Sequence, residues 1–194
     1  VLEALTTLGF DYPPRAEFFR KELEQYLLMV REEKIDPREL RGSYAGAMGM
    51  PQFIPSSFRN YAVDFDGDGK RDLWNNTADV IGSVANYFKV NGWKFGEPVV
   101  SRASVIGAAT ELAGTQVKPN KSIAEYKQLG ATPIHAFSEK ADAVLLQFEG
   151  ANGVEYWMGL TNFYVITRYN RSPLYALAVY QLSQALVSEY NTVL

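Results

Sequence analysis

The segment from Asp64 to Asp72 constrains the fold more than any other stretch of this sequence. It reads DFDGDGKRD, which puts acidic side chains at positions 1, 3, 5 and 9 and Gly69 at position 6. Oxygen atoms at these positions converge on one point only if the chain turns sharply at position 6, where glycine tolerates the required backbone. This is the ligand spacing of an EF-hand calcium loop. The sequence therefore predicts a calcium site between an entering and an exiting helix.

The predicted ligands of this site are Asp64, Asp66, Asp68, Lys70, Asp72 and Asp79. Lys70 falls at position 7, where only the main-chain carbonyl is needed. Position 12 is Asn75 instead of the usual glutamate, so the last ligand is left open between Asn75 and Asp79. Clustered carboxylates repel each other without a cation, so we expect calcium to stabilise the loop. The alternative is a solvated acidic turn held by Asp and Gly chemistry alone.

The composition excludes several classes of function. The 194 residues carry a net charge of -3 with scattered Lys and Arg, which argues against a nucleic-acid partner. The sequence has no cysteine and His135 is its single histidine, so cysteine nucleophiles and thiolate zinc sites are excluded. No apolar run approaches the roughly 18 residues needed to cross a membrane. Carboxylates, with tyrosines, are therefore the expected proton-transfer groups of any enzyme built on this chain.

Apolar residues at helical spacing predict a mainly α fold. The face formed by Val1, Leu2, Leu5 and Leu8 has no capping residue before it, so we expect the chain to begin inside a helix and to lack upstream sequence. In the long last helix Leu174, Leu177, Ala178, Gln181, Leu182 and Ala185 are expected to share one face. The predicted helices cover about 14–34, 55–62, 80–88, 122–129, 163–169 and 172–190.

A strand-bearing insertion interrupts the helical pattern. Residues 141–149 alternate in part, and 154–158 follow after the turn sequence GANG, which predicts a β-hairpin. We therefore expect three parts, namely a helical region at 1–97 with the calcium loop at 64–79, a small mixed α/β insertion at 98–160, and C-terminal helices at 161–194.

Four motifs together resemble a known family. They are GSYAGAMGMPQFIPSSF from Gly42, the calcium loop, the helix IGSVANYFKVNGW, and NFYVITRYN from Asn162. In this order and spacing they resemble the lytic murein transglycosylase B family, and the resemblance extends from Leu2 to the C-terminal helix. It implies a lysozyme-like (α+β) core with an EF-hand calcium site. It also implies a periplasmic location, with outer-membrane association through a segment not present in this sequence.

The resemblance implies cleavage of the β-1,4 bond between N-acetylmuramic acid and N-acetylglucosamine in peptidoglycan, with formation of 1,6-anhydromuramic acid ends. The family uses one glutamate first as acid and then as base, and the motif that carries it precedes the stretch matched by Val1–Phe10. We therefore expect the catalytic glutamate upstream of Val1, in an N-terminal fragment of the same protein. The alternative is a noncatalytic, calcium-stabilised glycan-binding fragment.

The resemblance also implies a set of substrate-binding residues: Ser43, Met48, Gln52, Tyr87, Tyr164, Tyr169 and Asn170. Hydroxyl and amide groups can both donate and accept hydrogen bonds, as acetamido sugars require, and aromatic faces suit sugar C–H surfaces. Tyr164 and Tyr169 are five residues apart, so they do not share a face of a regular helix. The alternatives are a tight turn before a capped helix for Ser43 and Gln52, and core packing for each tyrosine.

Overall fold

The computed structural model describes residues 1–193, which form two compact units. The first unit spans Val1–Val90, and the second begins at Asn91. The first contains four α-helices and the second a five-stranded sheet with three more. Among the helices of the described chain, none is both long and apolar enough to cross a bilayer.

The helices of the first unit follow the apolar periodicity of the sequence. Helix α2 was predicted at 14–34 and is observed at Ala16–Glu33, where it ends because Lys34 adopts a left-handed backbone. Helix α3 begins at Pro55, whose fixed φ suits the first helical position. The four helices are α1 (Leu2–Phe10), α2 (Ala16–Glu33), α3 (Pro55–Tyr61) and α4 (Thr77–Val90).

Glu22 is a buried carboxylate in the core of the first unit, and both of its oxygens are paired. Glu22 on α2 accepts hydrogen bonds from the Ser56 main-chain N–H at 2.9 Å and from the Ser56 hydroxyl at 2.8 Å. These bonds fasten the first turn of α3 to α2, and a buried charge is tolerated when its oxygens are satisfied in this way. The apolar part of this core includes Leu5, Tyr26, Met29, Met48, Phe58 and Leu73, all without exposed surface.

The second unit is built on an antiparallel sheet with strand order β2-β4-β5-β1-β3. The predicted hairpin is confirmed, because the two longest strands pair in register up to Gly150 opposite Gly153, across a two-residue turn. The strands are β1 (Val100–Val105), β2 (Lys121–Ser122), β3 (Ala131–Pro133), β4 (Asp142–Gly150) and β5 (Gly153–Gly159).

The two faces of this sheet have different chemistry. One face buries Leu145 and Met158 against Ile123 and Tyr126 of helix α5 (Ile123–Gln128). This short helix begins with a capping box in which Ser122 and Glu125 exchange hydrogen bonds. The other face carries Trp157 beside the buried side chains of Val144 and Leu146. Both faces therefore contribute to burial, and polar groups occupy only part of the second.

Two helices end the second unit, α6 (Thr161–Tyr169) and α7 (Pro173–Val193). Both confirm the predicted elements, but the predicted stripe along α7 is mostly exposed. Leu177 is buried, whereas Leu174 and Leu182 remain largely exposed among the described residues. The spacing of apolar residues predicted α7 and its apolar face correctly. It did not indicate how much of that face is buried by other residues.

Tyr26 provides a test of the first core. Its hydroxyl donates to the Pro37 carbonyl at 2.6 Å, and burial raises the pKa of its phenol to about 12. We expect Tyr26→Phe to lower the free energy of unfolding by about 1 to 3 kcal/mol, because the carbonyl loses its partner. Urea denaturation measures this, with Tyr44→Phe as the control, since Tyr44 is 92% exposed. An equal change in the free energy of unfolding in both variants would contradict a stabilising role of the Tyr26 hydroxyl.

The raised pKa also sets a pH dependence for the parent protein. The ordinary phenol pKa is 10.0, so the unfolded chain ionises at lower pH than the folded one. The contribution of Tyr26 to stability is complete below pH 10 and is lost as the pH rises towards 12. Tyr26→Phe is expected to flatten this part of the stability curve.

Candidate functional site

The acidic loop of the first unit is organised around Asp64. One carboxylate oxygen of Asp64 accepts the N–H groups of Gly67 at 2.7 Å and Asp68 at 3.1 Å, and the other accepts the N–H of Gly69 at 2.8 Å. Gly69 has a φ of 89°, which a side chain would resist. The sharp turn predicted at position 6 is therefore present, and the three main-chain hydrogen bonds to the Asp64 carboxylate hold it.

Asp79 fastens the two ends of this loop together. It is 0% exposed, and its oxygens accept the N–H groups of Phe65 and Asp72, each at 2.8 Å. It lies in the first turn of α4, which Asn76 caps by accepting the N–H groups of Ala78 and Asp79. A carboxylate has about four acceptor sites, so these two bonds leave Asp79 able to bind a cation as well.

Asp64, Asp66 and Asp79 form a cluster whose carboxylate oxygens lie within 4.8 Å of one another. Asp66 is held by the amide of Asn76 at 2.7 Å, and this hydrogen bond lowers the pKa of its carboxyl. Three converging carboxylates suit a hard divalent cation that takes oxygen ligands, such as calcium. For the last ligand, which the sequence left open, this geometry favours Asp79, since the Asn75 amide donates to Asp72.

The other predicted ligands lie outside this three-residue cluster. The Asp68 carboxylate accepts the N–H of Lys70 at 2.8 Å, and Asp72 accepts the N–H groups of Trp74 and Asn75 at 2.9 and 3.0 Å. Partial burial raises the pKa of Asp72, but these hydrogen bonds outweigh it, so its pKa is below the usual value. The roles of Asp68, Lys70 and Asp72 as ligands remain predictions.

Sequence reasoning missed two residues that support the cluster, Asn76 and Gly82. Asn76 lies three residues before Asp79, and Asn-x-x-Asp before an apolar run is a capping signal that could have identified it. Gly82 has no such signal. A Cβ added there would lie 2.6 Å from Cδ2 and 2.7 Å from Cβ of Phe65, so the ring of Phe65 packs directly on the α4 backbone. Phe65 lies between two residues of the cluster.

The small-residue segment of the first unit forms a tight turn around the Ser43 hydroxyl. Its oxygen accepts the N–H groups of Ala45 at 3.2 Å and Ala47 at 3.1 Å. Close backbone approach, predicted from the composition, is confirmed: a Cβ at Gly46 would lie 2.6 Å from Leu5, and one at Gly49 would lie 2.5 Å from the Leu73 carbonyl oxygen. The hydroxyl of Ser43 is half-buried and rigidly oriented.

Gln52 ends this turn in a strained conformation. Its φ is 54°, one of two positive values among the non-glycine residues described, and its side-chain amide donates to the Gly49 carbonyl at 2.9 Å. The side chain is exposed, whereas Met48 beside it is fully buried and lies under the turn as packing. Strain of this kind persists only where the surrounding structure fixes it, and it is frequent at ligand sites.

The predicted tyrosines occupy different surroundings. Tyr87 is half-buried within an aromatic group of the first unit, with its ring centroid 4.7 Å from that of Tyr61 and 5.9 Å from that of Phe53. In the second unit, Tyr164 is half-buried on α6 with the Arg168 guanidinium 5.9 Å from its ring. Each ring keeps part of its surface accessible, so packing and ligand contact are compatible.

Tyr169 and Asn170 end α6 in the second unit. Tyr169 is half-buried and is the last residue of the helix, and Asn170 is exposed and follows it in an extended conformation. The Asn170 side-chain oxygen accepts the N–H of Ser172 at 3.0 Å, which leaves its NH₂ group as a donor. The predicted role of Tyr169 and Asn170 in substrate binding stays a prediction.

Comparison with known proteins finds similarity to lytic transglycosylases. The model of the transglycosylase SLT domain matches residues 1–184. The membrane-bound lytic murein transglycosylase B of Escherichia coli (strain K12) is 50% identical over 186 residues, which cover 96% of this chain and 50% of that protein. The chain thus spans about half the length of this curated relative.

Solved structures agree with this relationship. Soluble lytic transglycosylase SltB1 from Pseudomonas aeruginosa is 53% identical, with a TM-score of 0.92 over 97% of this chain and 63% of that one. Escherichia coli Slt35 in complex with calcium is 50% identical, with a TM-score of 0.87 over 96% and 58%. Pseudomonas aeruginosa SltB3 with NAG-anhNAM-pentapeptide is 35% identical, with a TM-score of 0.78 over 92% and 48%.

The contact between Phe65 and Gly82 gives a test of the metal site. Alanine favours helix over glycine by about 1 kcal/mol, so Gly82→Ala should not destabilise the metal-free protein through helix propensity. Its methyl group must nevertheless displace Phe65, and with it the flanking Asp64 and Asp66. We expect the calcium dissociation constant to rise at least about tenfold, a loss of about 1.4 kcal/mol. Isothermal titration calorimetry measures the effect.

The control is the double variant Phe65→Gly/Gly82→Ala. Removing the whole Phe65 side chain, including its Cβ, leaves room for the new methyl group, so Gly82→Ala should cost little affinity once Phe65 is glycine. Equal calcium affinity of Gly82→Ala and the parent would contradict the proposed support of the site by Phe65.

Proposed function

The chain belongs to the family of transglycosylase SLT domains, and from this premise we propose that it forms the glycan-cleaving part of a lytic murein transglycosylase. The reaction breaks the β-1,4 bond between N-acetylmuramic acid and N-acetylglucosamine and closes a 1,6-anhydro ring on the muramic acid. The match over residues 1–184 carries this proposal, and the relative SltB3 supports its substrate class because it binds an anhydro disaccharide with its peptide. The relationship also accounts for the lysozyme-like fold, with its helical body and small antiparallel sheet.

The geometry of the first unit supports a glycan-binding role for the turn at 43–52. Acetamido sugars are bound by groups that can donate and accept hydrogen bonds in fixed directions. Ser43 is oriented by two amides, and Gln52 is exposed in a strained conformation that its neighbours maintain. We assign sugar contacts to these two residues, to Tyr87 of the same unit, and to Tyr164, Tyr169 and Asn170 of the second unit. Met48 is fully buried, so we assign it to packing against the residues of this turn.

In the proposed reaction a single glutamate acts first as acid and then as base. It gives its proton to the leaving oxygen and then accepts the proton of the sugar 6-hydroxyl. Glu22 is the buried glutamate of the first unit, but both of its oxygens are engaged by Ser56, so we assign it to anchoring α3. The family resemblance puts this glutamate in a motif before the stretch matched by Val1–Phe10, so we propose that the acid belongs to a segment upstream of Val1. A 1,6-anhydro product needs no second carboxylate as nucleophile, unlike ordinary glycoside hydrolysis.

Calcium is proposed as a structural ion of the first unit. When bound, it neutralises the repulsion among Asp64, Asp66 and Asp79, and it would stabilise the folded loop by mass action. Three residues of the chain shape the loop: Asp79 joins its two ends, Asn76 hydrogen-bonds to Asp66, and Gly69 allows the turn. The complex of Slt35 with calcium supports the choice of ion.

We propose a periplasmic location, where peptidoglycan is accessible. The relative from Escherichia coli is named as membrane-bound, which supports a place in the cell envelope. Peptidoglycan glycan strands are the proposed macromolecular partner. The second candidate function is glycan binding without cleavage, which these 194 residues would show if the acid lies in another segment.

A digestion assay tests the function and the placement of the acid. Without a proton donor the leaving sugar departs as an unstabilised alkoxide, and general acid catalysis contributes about 10²- to 10⁴-fold. We expect the 194-residue chain to release no anhydromuropeptides from purified peptidoglycan, and a chain extended upstream through the glutamate motif of the family to release them. Mass spectrometry of the products identifies the anhydro ends.

Two outcomes of this assay contradict different parts of the proposal. Release by the short chain would contradict the upstream acid. Failure of the extended chain, when its calcium-loaded form is folded, would contradict the transglycosylase function. The extended chain with glutamine in place of that glutamate is the control for contaminating activity.

Gln52 gives a test of the glycan site with a matched control. Gln52→Gly should relieve the positive φ, so stability is maintained or raised. It also removes the exposed amide, so we expect chitotetraose binding to weaken by about 2- to 12-fold, corresponding to one hydrogen bond of 0.5–1.5 kcal/mol. Lys34→Gly relieves the other positive φ of the described non-glycine residues and should leave binding unchanged. Equal glycan binding by Gln52→Gly and the parent would place Gln52 outside the site.

A further inference from the structure

A second polar cluster lies on the sheet of the second unit, on the face opposite α5. Arg102 on β1 is directly opposite Trp157 on β5 in the antiparallel register. Glu155 lies two residues before Trp157, so its side chain is on the same face of the strand. The pleat therefore brings a cation, an indole and a carboxylate together, none of which belongs to the proposed metal or sugar site.

The three side chains hold one another in place. The Arg102 guanidinium forms an ion pair with Glu155 and lies 5.3 Å from the Trp157 ring centroid, while the Trp157 indole N–H donates to Glu155 at 3.1 Å. The Arg102 side chain is nevertheless 54% exposed. Among the described residues, Glu155 is its only ion-pair partner, so part of the guanidinium fork is open to solvent. An ordered, half-exposed arginine is prepared for an anionic ligand.

A cavity of about 320 Å³ adjoins this cluster. Its lining combines Arg102 and Trp157 of the sheet, Ile134 and His135 of the segment after β3, and Tyr180 and Gln184 of α7. Arginine, histidine, tyrosine and glutamine side chains all offer hydrogen-bond donors. No carboxylate is among the residues that line the cavity, so Arg102 is its charged group, and the Glu155 partner of Arg102 lies outside the lining.

We propose that this cavity binds a carboxylate-bearing short peptide, namely the peptide stem carried by the muramic acid of peptidoglycan. This proposal rests on the proposed function, because peptidoglycan supplies both the glycan and its peptides. Arg102 receives a peptide carboxylate, and the side chains from α7 and His135 donate to the remaining oxygens. The cavity is at the lower end of the size of ligand sites, which suits about two amino-acid residues.

The same geometry argues against a sugar in this cavity. Sugar rings stack on exposed aromatic faces, but Trp157 is only 7% exposed and its face is covered by the Arg102 guanidinium. The donors in the lining outnumber the acceptors, which favours a ligand rich in oxygen acceptors and poor in hydroxyl groups. A peptide with free carboxylates meets this requirement.

NMR titration tests the proposal, because the indole N–H of Trp157 reports on the cavity directly. The probes are the dipeptide L-Ala-γ-D-Glu, its diamide without carboxylates, and chitotetraose. We expect the dipeptide to shift the Trp157 indole signal in a saturable manner and the diamide not to do so. Absence of a shift with the dipeptide, or equal shifts with both peptides, would overturn the proposal. Chitotetraose tests the sugar site separately: loss of its binding with retained dipeptide binding would contradict the proposed glycan site alone.

Variants assign the effect to Arg102. We expect Arg102→Gln to weaken dipeptide binding at least about tenfold, since hydrogen bonds to charged groups are the strong ones. Arg31→Gln is the matched control, because Arg31 is an exposed arginine on α2 of the first unit. Chitotetraose binding should be the same in both variants and the parent. Equal dipeptide binding by Arg102→Gln and Arg31→Gln would overturn the assignment.

Glu155→Gln tests the effect of the Glu155 charge on dipeptide binding in a protein that keeps its fold. Glutamine keeps an oxygen acceptor for the Trp157 indole N–H but removes the carboxylate that competes with a ligand for Arg102. We therefore expect tighter dipeptide binding than in the parent. Weaker binding by a folded Glu155→Gln protein would show that the intact ion pair creates the affinity, and it would overturn Arg102 as the carboxylate receptor.

Discussion

The buried carboxylate of Asp79 is the interaction on which the first unit most depends. It has no exposed surface, and it receives the main-chain N–H groups of Phe65 and Asp72, which stand at opposite ends of the acidic loop. Burying a charge is costly unless it is paired or hydrogen-bonded, so both amides are needed even before a cation is considered. Because Asp79 also lies in the first turn of α4, one side chain connects the acidic loop to the start of the helix. The proposed divalent cation would bind to a loop whose main-chain hydrogen bonds to Asp79 are already formed.

The sequence predicted those parts of the structure that depend on local chemistry. The turn at Gly69, the start of α3 at Pro55 and the hairpin at Gly150–Gly153 each follow from one or two residues whose backbone preferences are strong. The packing of Phe65 on Gly82 could not be predicted, because it joins residues far apart in the sequence that carry no periodic signal. For the same reason the apolar stripe of α7 was visible in the sequence, whereas its exposure depended on neighbours that periodicity does not specify.

The candidate sugar site was predicted less from physics than from resemblance. Glycines and small side chains indicated a close approach of the backbone, and the contacts of Gly46 and Gly49 agree with that reasoning. Nothing in local preference indicated that Gln52 would adopt a left-handed backbone, since glutamine seldom does so. The strain at Gln52 is maintained by the hydrogen bonds of the turn and by buried Met48 beneath it. A fixed, exposed amide is thus obtained at the cost of local strain, as is common where a protein must hold a ligand group in place.

The sheet of the second unit shows how a small domain can carry a polar cluster although both of its faces contribute to burial. One face is closed by α5, and the opposite face buries Val144 and Leu146, so the polar cluster shares its face with buried apolar side chains. Cross-strand pairing then sets the spacing of Arg102 and Trp157 within one register, while Glu155 orders the guanidinium without burying it. An ion pair that is half-exposed contributes little to folding. The ion pair instead orients the Arg102 guanidinium towards the cavity, and this orientation is what the proposed binding of acidic peptides would use.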